Sequence, residues 1–196
     1  MDKLNPILTG YRVKLRLANV DDAEFILHLR HMPHVKGKMG DLDISPEQEK
    51  AWLRKNVDDP SDYFFIIESP NAVKIGTIGV YNIDYKHCTA EYGRLVVIPG
   101  SLAAFPACIL LLDFCFNVLQ LDTLLAWVVP SNKKIITFNR QLGGEIIKTS
   151  YPNSPNQNSE SNQEERIYFE LTRESWKAHR LPLITLSEQA IKMQVK

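Results

Sequence analysis

Three groups of side chains in this sequence have types and spacings that chemistry can use. His28, His31 and His34 recur every third residue. Positions i and i+3 share a helical face, the arrangement that gathers imidazoles around a metal. Pro33 ends a helix before the third of them, so no metal site is expected. Cys88, Cys108 and Cys115 cannot all pair and show no C-x-x-C, and two lie in the apolar run 102–119. Buried thiols are expected. The third group is a turn and a helix start. Pro99-Gly100 breaks a strand and Pro106 suits the first turn of a helix. Free N–H groups and the helix dipole at such a start attract phosphate oxygens. Read alone, Gly100 is an ordinary turn glycine.

These groups need elements to position them. Residues 11–17 alternate Val13, Leu15 and Leu17 with Arg12, Lys14 and Arg16, the periodicity of a half-buried strand. Asn19 caps a helix that Pro33 stops, and Ser45-Pro46-Glu47-Gln48 opens a second helix with a capping box. That helix carries Trp52. An aromatic there can serve as a platform for a sugar or base, although an apolar residue on an amphipathic helix is more often core. Stretches 63–68, 74–83 and 89–97, separated by turn residues, read as an antiparallel meander. A mostly covered helix then runs from about Pro106 to Leu119, with polar residues Asp113, Asn117 and Gln120 in one stripe. Strand 123–129, a helix over 131–142 capped by Ser131 and ended by Gly143, strands 144–149 and 165–172, and a short helix 173–180 complete the order. Residues 150–163 read as a low-complexity loop, and 181–196 as a tail of weak helical character.

The sequence has 196 residues, with 23 basic and 23 acidic side chains and a formal net charge of +0. No global field draws it to nucleic acid or an anionic membrane, which leaves a small molecule or a protein as partner. Pro106, Asp113 and Asn117 interrupt the longest apolar run, and MDKLNPILTG lacks the basic-then-apolar pattern of a signal peptide. A cytoplasmic location is expected.

The order of elements resembles that of the GCN5-related N-acetyltransferase (GNAT) superfamily. LRLANVDDAEFILHLR is similar to the opening strand and helix of the branch holding ribosomal-protein and amino-sugar N-acetyltransferases. IGTIGVYNIDYKHCTAEYGRLVV resembles its paired strands, and LDFCFNVLQLDTLLAWVVPSNKKIITFNRQLGG its helix, strand and Asn-led helix. The likeness covers residues 11–172. ISPEQEKAWL and NIDYKH look most like acyltransferases acting on nucleotide-linked 4-amino-4,6-dideoxy sugars.

The resemblance implies an α/β (α+β) fold with a mixed, mainly antiparallel sheet flanked by helices. It implies one acyltransferase domain over 1–180 and a tail over 181–196. Acetyl-CoA would be the acyl-donor cosubstrate, and the reaction acetyl transfer to a primary amine, foremost on a nucleotide-linked 4-amino sugar. Protein N-terminal acetylation is the alternative acceptor chemistry, and a non-catalytic binding module is the alternative outside the enzyme class. Such relatives are commonly dimers, so a homodimer is open to this chain.

Site residues follow from the same resemblance. Leu95, Val96 and Val97 would meet pantetheine through the main chain, and Gly100, Ser101, Leu102, Ala103, Ala104 and Phe105 would form the phosphate turn. The family's turn is Arg/Gln-x-x-Gly-x-Gly/Ala, whereas this chain has Pro-Gly-Ser-Leu-Ala-Ala-Phe-Pro. Pro106 has no N–H, so Ala107 and Cys108 are expected to offer the free donors. Glu91 is the first choice for the base that takes the amine's proton, with a solvent-facing strand glutamate as the plain alternative. Asn139 stands where the family places an acidic tyrosine; an amide can donate a hydrogen bond to sulfur but no acid proton. Asn132 would touch pantetheine or cap its helix. His31, Lys36 and Met39 lie in the loop that overhangs the acceptor pocket in relatives, and Tyr81 is a further substrate contact.

Overall fold

A tight hairpin opens the chain, with β1 (Ile7–Gly10) antiparallel to β2 (Val13–Leu17). The expected strand 11–17 therefore starts at Val13. Tyr11 and Arg12 form the two-residue turn with φ of 49° and 59°. Such turns are usually announced by Asn-Gly or Asp-Gly. Tyr-Arg carries no such signal, so β1 was invisible in the sequence. The structure is a computed structural model, and it describes residues 2–35, 44–147 and 166–194.

The first two predicted helix starts form as expected. Asn19 builds a capping box with Asp22 around a single turn, Val20–Asp22, that leads into α1 (Ala23–His31). Ser45 and Gln48 build a second box at the start of α2 (Pro46–Asn56). The meander follows as β3 (Tyr63–Glu68), β4 (Lys74–Asp84) and β5 (Thr89–Val97). After β5 come α3 (Ala104–Asp113), β6 (Thr123–Val128), α4 (Lys133–Gln141), β7 (Glu145–Ile147), β8 (Ile167–Thr172) and α5 (Arg173–Gln194). The strands make one sheet in the order β1-β2-β3-β4-β5-β6-β8-β7. Every neighbour is antiparallel except β5 and β6, which run parallel.

Both faces of the sheet are covered, and β3 shows how. Tyr63, Phe65 and Ile67 point into a core shared with α3, α4 and α5, while Phe64 and Ile66 point into a second core against α1 and α2. Full burial of each such side chain contributes about 1.5–3 kcal/mol. A strand buried on both faces reads as a continuous apolar run, which is why YFFII shows no alternation.

The long helix starts at Ala104 with Pro106 in its first turn, as expected, and beyond Asp113 it continues as a π-helical turn, Phe114–Val118. Arg173 secures that turn by donating to the carbonyls of Phe116 and Leu121 at 2.6 and 2.7 Å. The cap of α4 is Asn132, not Ser131. The helix expected over 173–180 runs on through Pro182 to Gln194, burying Trp176 and Leu183. The expected loop 150–163 lies outside the described residues. Among the described residues, no helix is long and apolar enough to cross a membrane.

The polar anchor of the first half is Asp22, whose side chain is 0% exposed. Its oxygens accept from Arg16 at 2.7 and 2.9 Å, and Lys74 lies 2.7 Å away. Arg16 also donates to Glu68 at 2.7 Å, so one network ties β2, β3, β4 and the start of α1. Burial alone would raise the Asp22 carboxyl; the hydrogen bonds from Arg16 and Lys74 outweigh it and hold the carboxyl below the usual range. Its stabilising contribution is therefore present above the unfolded pKa of about 3.9 and is lost as pH falls through the folded value. Asp22→Asn should cost about 3 kcal/mol, read by chemical denaturation at pH 7. The same substitution should flatten the acid limb of a plot of Tm against pH.

Candidate active site

The site begins with a fault in β5. Gly79 sits opposite Gly93 and Thr77 opposite Val96, so β5 advances three residues while β4 advances two. Arg94 absorbs the extra residue with φ of 53°, which makes a β-bulge. The bulge is held from several sides. Thr77 Oγ1 donates to the Arg94 carbonyl at 2.9 Å, and the Arg94 guanidinium makes two bonds to Asp62 at 2.7 and 2.8 Å. The same guanidinium lies over Tyr81, Trp52 and Phe64, 4.2, 5.2 and 5.4 Å from the ring centroids. Gly76 lets the strands close again beyond the bulge, because a Cβ there would come within 2.3 Å of the Val96 carbonyl.

The bulge has a consequence on the other edge of β5. Thr89, Ala90 and Glu91 pair with Thr123, Leu124 and Leu125 of β6. Beyond that register, no pairing joins the two parallel strands among the described residues. They diverge into a cavity of about 800 Å³, walled by Tyr92–Val97 on one side and Ala126–Val129 on the other. The cavity continues past α4, through Asn132, Phe138 and Asn139, and towards α1 and α2, through Arg30, Glu49 and Trp52.

Asn139 is 4% exposed, and its Oδ1 accepts from the Tyr92 hydroxyl at 2.8 Å. Among the described residues nothing accepts from its Nδ2. The end of α4 fixes this side chain's base. The N–H groups of Gly143 and Gly144 donate to the carbonyls of Arg140 and Asn139 at 3.0 and 2.9 Å, with Gly143 at φ of 95°. This is a Schellman cap, which the Leu-Gly-Gly sequence announces. Asn132 Oδ1 accepts from the Ile135 N–H at 3.5 Å, so Asn132 both caps α4 and lines the cavity.

The turn after β5 is compact. Ser101 N–H donates to the Ile98 carbonyl at 3.2 Å, Gly100 has φ of 82°, and Ala103 N–H donates to Ser101 Oγ at 3.2 Å. Because α3 starts at Ala104, the Ala107 N–H is spent on the Ala103 carbonyl at 2.9 Å. The expectation that Ala107 and Cys108 carry the free donors is corrected. Those of Ala104 and Phe105 have no acceptor within the helix. Phe105 stacks on Phe138 at 4.5 Å, tying the start of α3 to α4.

Of the residues singled out from the sequence, Leu95, Val96, Val97, Ala104, Asn132, Asn139 and Tyr81 share the cavity wall. Gly100, Ser101, Leu102, Ala103 and Phe105 form the turn and helix start beside it. Glu91 is not in the wall; it is the register partner of Tyr81 and accepts from Asn82 Nδ2 at 2.8 Å. The Tyr81 hydroxyl is pushed up to about 12, by burial first and then by the Glu91 charge. His31 is exposed, its Nδ1 2.8 Å from the Leu27 carbonyl, and away from the cavity. Lys36 and Met39 lie outside the described residues. Trp52 combines both of its readings, packing edge-on against Phe64 while facing the cavity. The sequence reading passed over Arg30 and Glu49. The available signal was a glutamate on the face of α2 that also carries Trp52 and Leu53.

The family model described as "Acetyltransferase (GNAT) domain" matches residues 12–145. The chain belongs to the GNAT acetyltransferases. The fold class and enzyme class expected from the sequence therefore stand. No curated protein sequence matches it. FdhC, a nucleotide-linked sugar GNAT solved in its apo form, superimposes with a TM-score of 0.75 at 20% identity, covering 91% of this chain and 97% of that one. Spermidine N-acetyltransferase from Vibrio cholerae, solved with CoA and spermine, gives 0.72 at 18% identity, covering 86% and 99%. A GCN5-related N-acetyltransferase from Brucella melitensis gives 0.74 at 15% identity, covering 94% and 86%. At these identities the likeness establishes the fold alone.

The Tyr92–Asn139 bond bridges β5 and α4 across this GNAT cavity. Tyr92→Phe removes the donor to a buried amide oxygen, and should cost about 1–2 kcal/mol in chemical denaturation while leaving the circular dichroism spectrum unchanged.

Proposed function

We propose that this protein transfers the acetyl group of acetyl-CoA to a primary amine, foremost the amine of a nucleotide-linked 4-amino sugar. The observation that carries the reading is the unzipped edge of β5. On the β6 side, the main chain of Leu95, Val96 and Val97 has no strand partner among the described residues, and the cleft there leads to the start of α3. A pantetheine arm carries amides that can pair with such an edge as a third strand would. The donors of Ala104 and Phe105, beside the turn of Gly100, Ser101 and Ala103, suit the pyrophosphate. The residues present thus fit the cosubstrate although the turn departs from the family's pattern.

Acetyl-CoA supplies an activated carbonyl carbon, and the chain's residues place it and move protons. Asn132 and Asn139 offer amide N–H groups to the arm and the thioester end. Asn139 cannot supply an acid proton, so proximity contributes more than acid assistance. Glu91, the register partner of Tyr81, takes the amine's proton through water as the C–N bond forms and the C–S bond breaks. Trp52, Tyr81, Arg30 and Arg94 give the acceptor end the aromatic and basic character that a nucleotide-linked sugar calls for. The free cysteines accord with a cytoplasmic setting, and a homodimer belongs to the same proposal.

Isothermal titration with acetyl-CoA should give saturable one-to-one binding at micromolar levels. Ala126→Phe, which fills the β6 side of the cleft, should weaken that binding by about tenfold or more, equivalent to about 1.4 kcal/mol. No binding at millimolar acetyl-CoA would withdraw the reading in favour of a non-catalytic module.

A further inference from the structure

Glu49 is 1% exposed, on α2, and lines the cavity at the end away from the β5–β6 cleft. Its Oε2 accepts from Arg30 Nη1 at 3.2 Å, and its buried Oε1 has no hydrogen-bond partner among the described residues. Glu68 shares the trait of a buried oxygen without a hydrogen bond, but its Oε2 lies 2.9 Å from the Lys14 ammonium while Oε1 accepts from Arg16. Three further carboxylates held by arginine are used differently from Glu49. Asp22, Asp62 and Asp113 each engage both oxygens, the last with Arg180 at 2.7 Å to each. An oxygen left bare at that depth costs stability unless something else occupies it. Arg30 is likewise half used, since among the described residues its other N–H groups have no acceptor.

The surroundings say what kind of group belongs there. Glu49 projects from the same wall as Trp52, a flat aromatic face. The charged groups turned towards it are Arg30 from α1 and Arg94 from β5, and Arg94 is already neutralised by Asp62. His34 lines the same cavity. The vacant lone pair of an anion in a confined, partly apolar chamber matches a primary ammonium, which has donors only.

We propose that Glu49 is the acceptor-recognition carboxylate of this enzyme: Oε1 receives the ammonium of the incoming amine, and Arg30 holds the carboxylate in place from behind. This rests on the acetyltransferase reading and adds to it a specificity-determining residue at the acceptor end. Burial pushes the Glu49 carboxyl up, with Arg30 and Arg94 offsetting part of the rise. Acceptor binding should therefore weaken as pH falls and Glu49 takes up a proton.

The test uses the full chain at saturating acetyl-CoA and a panel of spermidine, a nucleotide-linked 4-amino sugar and a short peptide with a free N-terminus. For each amine that the wild type acetylates, Glu49→Gln should raise the acceptor KM by about tenfold or more. The KM for acetyl-CoA should stay within about twofold, and the rise of acceptor KM at low pH should disappear. Because Glu49→Gln leaves Arg30 unpaired, the double variant Arg30→Gln, Glu49→Gln removes both charges and should show the same acceptor defect with normal acetyl-CoA binding. An unchanged acceptor KM, or a pH dependence that survives Glu49→Gln, overturns the role of Glu49 and leaves the transferase reading standing. Failure of the wild type to acetylate any panel member overturns both.

Discussion

The bulge at Arg94 is the constraint on which the rest of this structure depends. A strand has two edges, and β5 serves β4 along its whole length but β6 only at its beginning. One extra residue turns the latter half of the strand away from β6, and the opening becomes a chamber instead of a continuous sheet. Keeping that residue in place takes an ion pair with Asp62, three aromatic rings and a hydroxyl from Thr77. A side chain as long and as firmly charged as arginine suits the task, because its guanidinium can stack and form a fork at once.

Around the opening, the elements divide their work. The α3, α4 and α5 side builds the deep core and delivers Asn139 through the Schellman cap and the Tyr92 hydroxyl. The α1 and α2 side delivers charge: Arg30 at the end of one helix and Glu49 near the start of the other. The Asp22 network stiffens the β2–β4 platform that α1 rests on. The buried carboxylate oxygens of the platform each lie against a cation, whereas Glu49 Oε1, on the chamber side, has none among the described residues. That contrast separates structural polarity from polarity that awaits a ligand.

Much of this was legible beforehand because the signals were local. The Asn19 and Ser45 caps, the alternation of β2, the uninterrupted YFFII of β3 and the Gly143 stop each depend on a handful of neighbouring residues. The features that escaped depend on distant partners. Nothing near Tyr11-Arg12 announces a turn, and the π-helical continuation at Phe114 is secured by Arg173, far along the chain. The extension of α5 past Pro182 rests on burial of Trp176 and Leu183. In the site, family likeness pointed to β5, the turn and α4. Glu49 and Arg30 escaped because their significance lies in an unfilled oxygen, and hydrogen-bond accounting is invisible in one dimension.

The open edge of β5 also bears on how such a chain changes over generations. A ligand met by backbone amides places no demand on side-chain identity at Leu95, Val96 or Val97 beyond keeping the strand's shape and apolar walls. On the proposed reading, those positions can drift while main-chain contacts to the donor persist, and the helices at the far end can drift separately towards a new acceptor. Solved structures at 15–20% identity share this frame with TM-scores of 0.72–0.75, while within this chain Gly76 is held by geometry, since a Cβ there would meet the Val96 carbonyl.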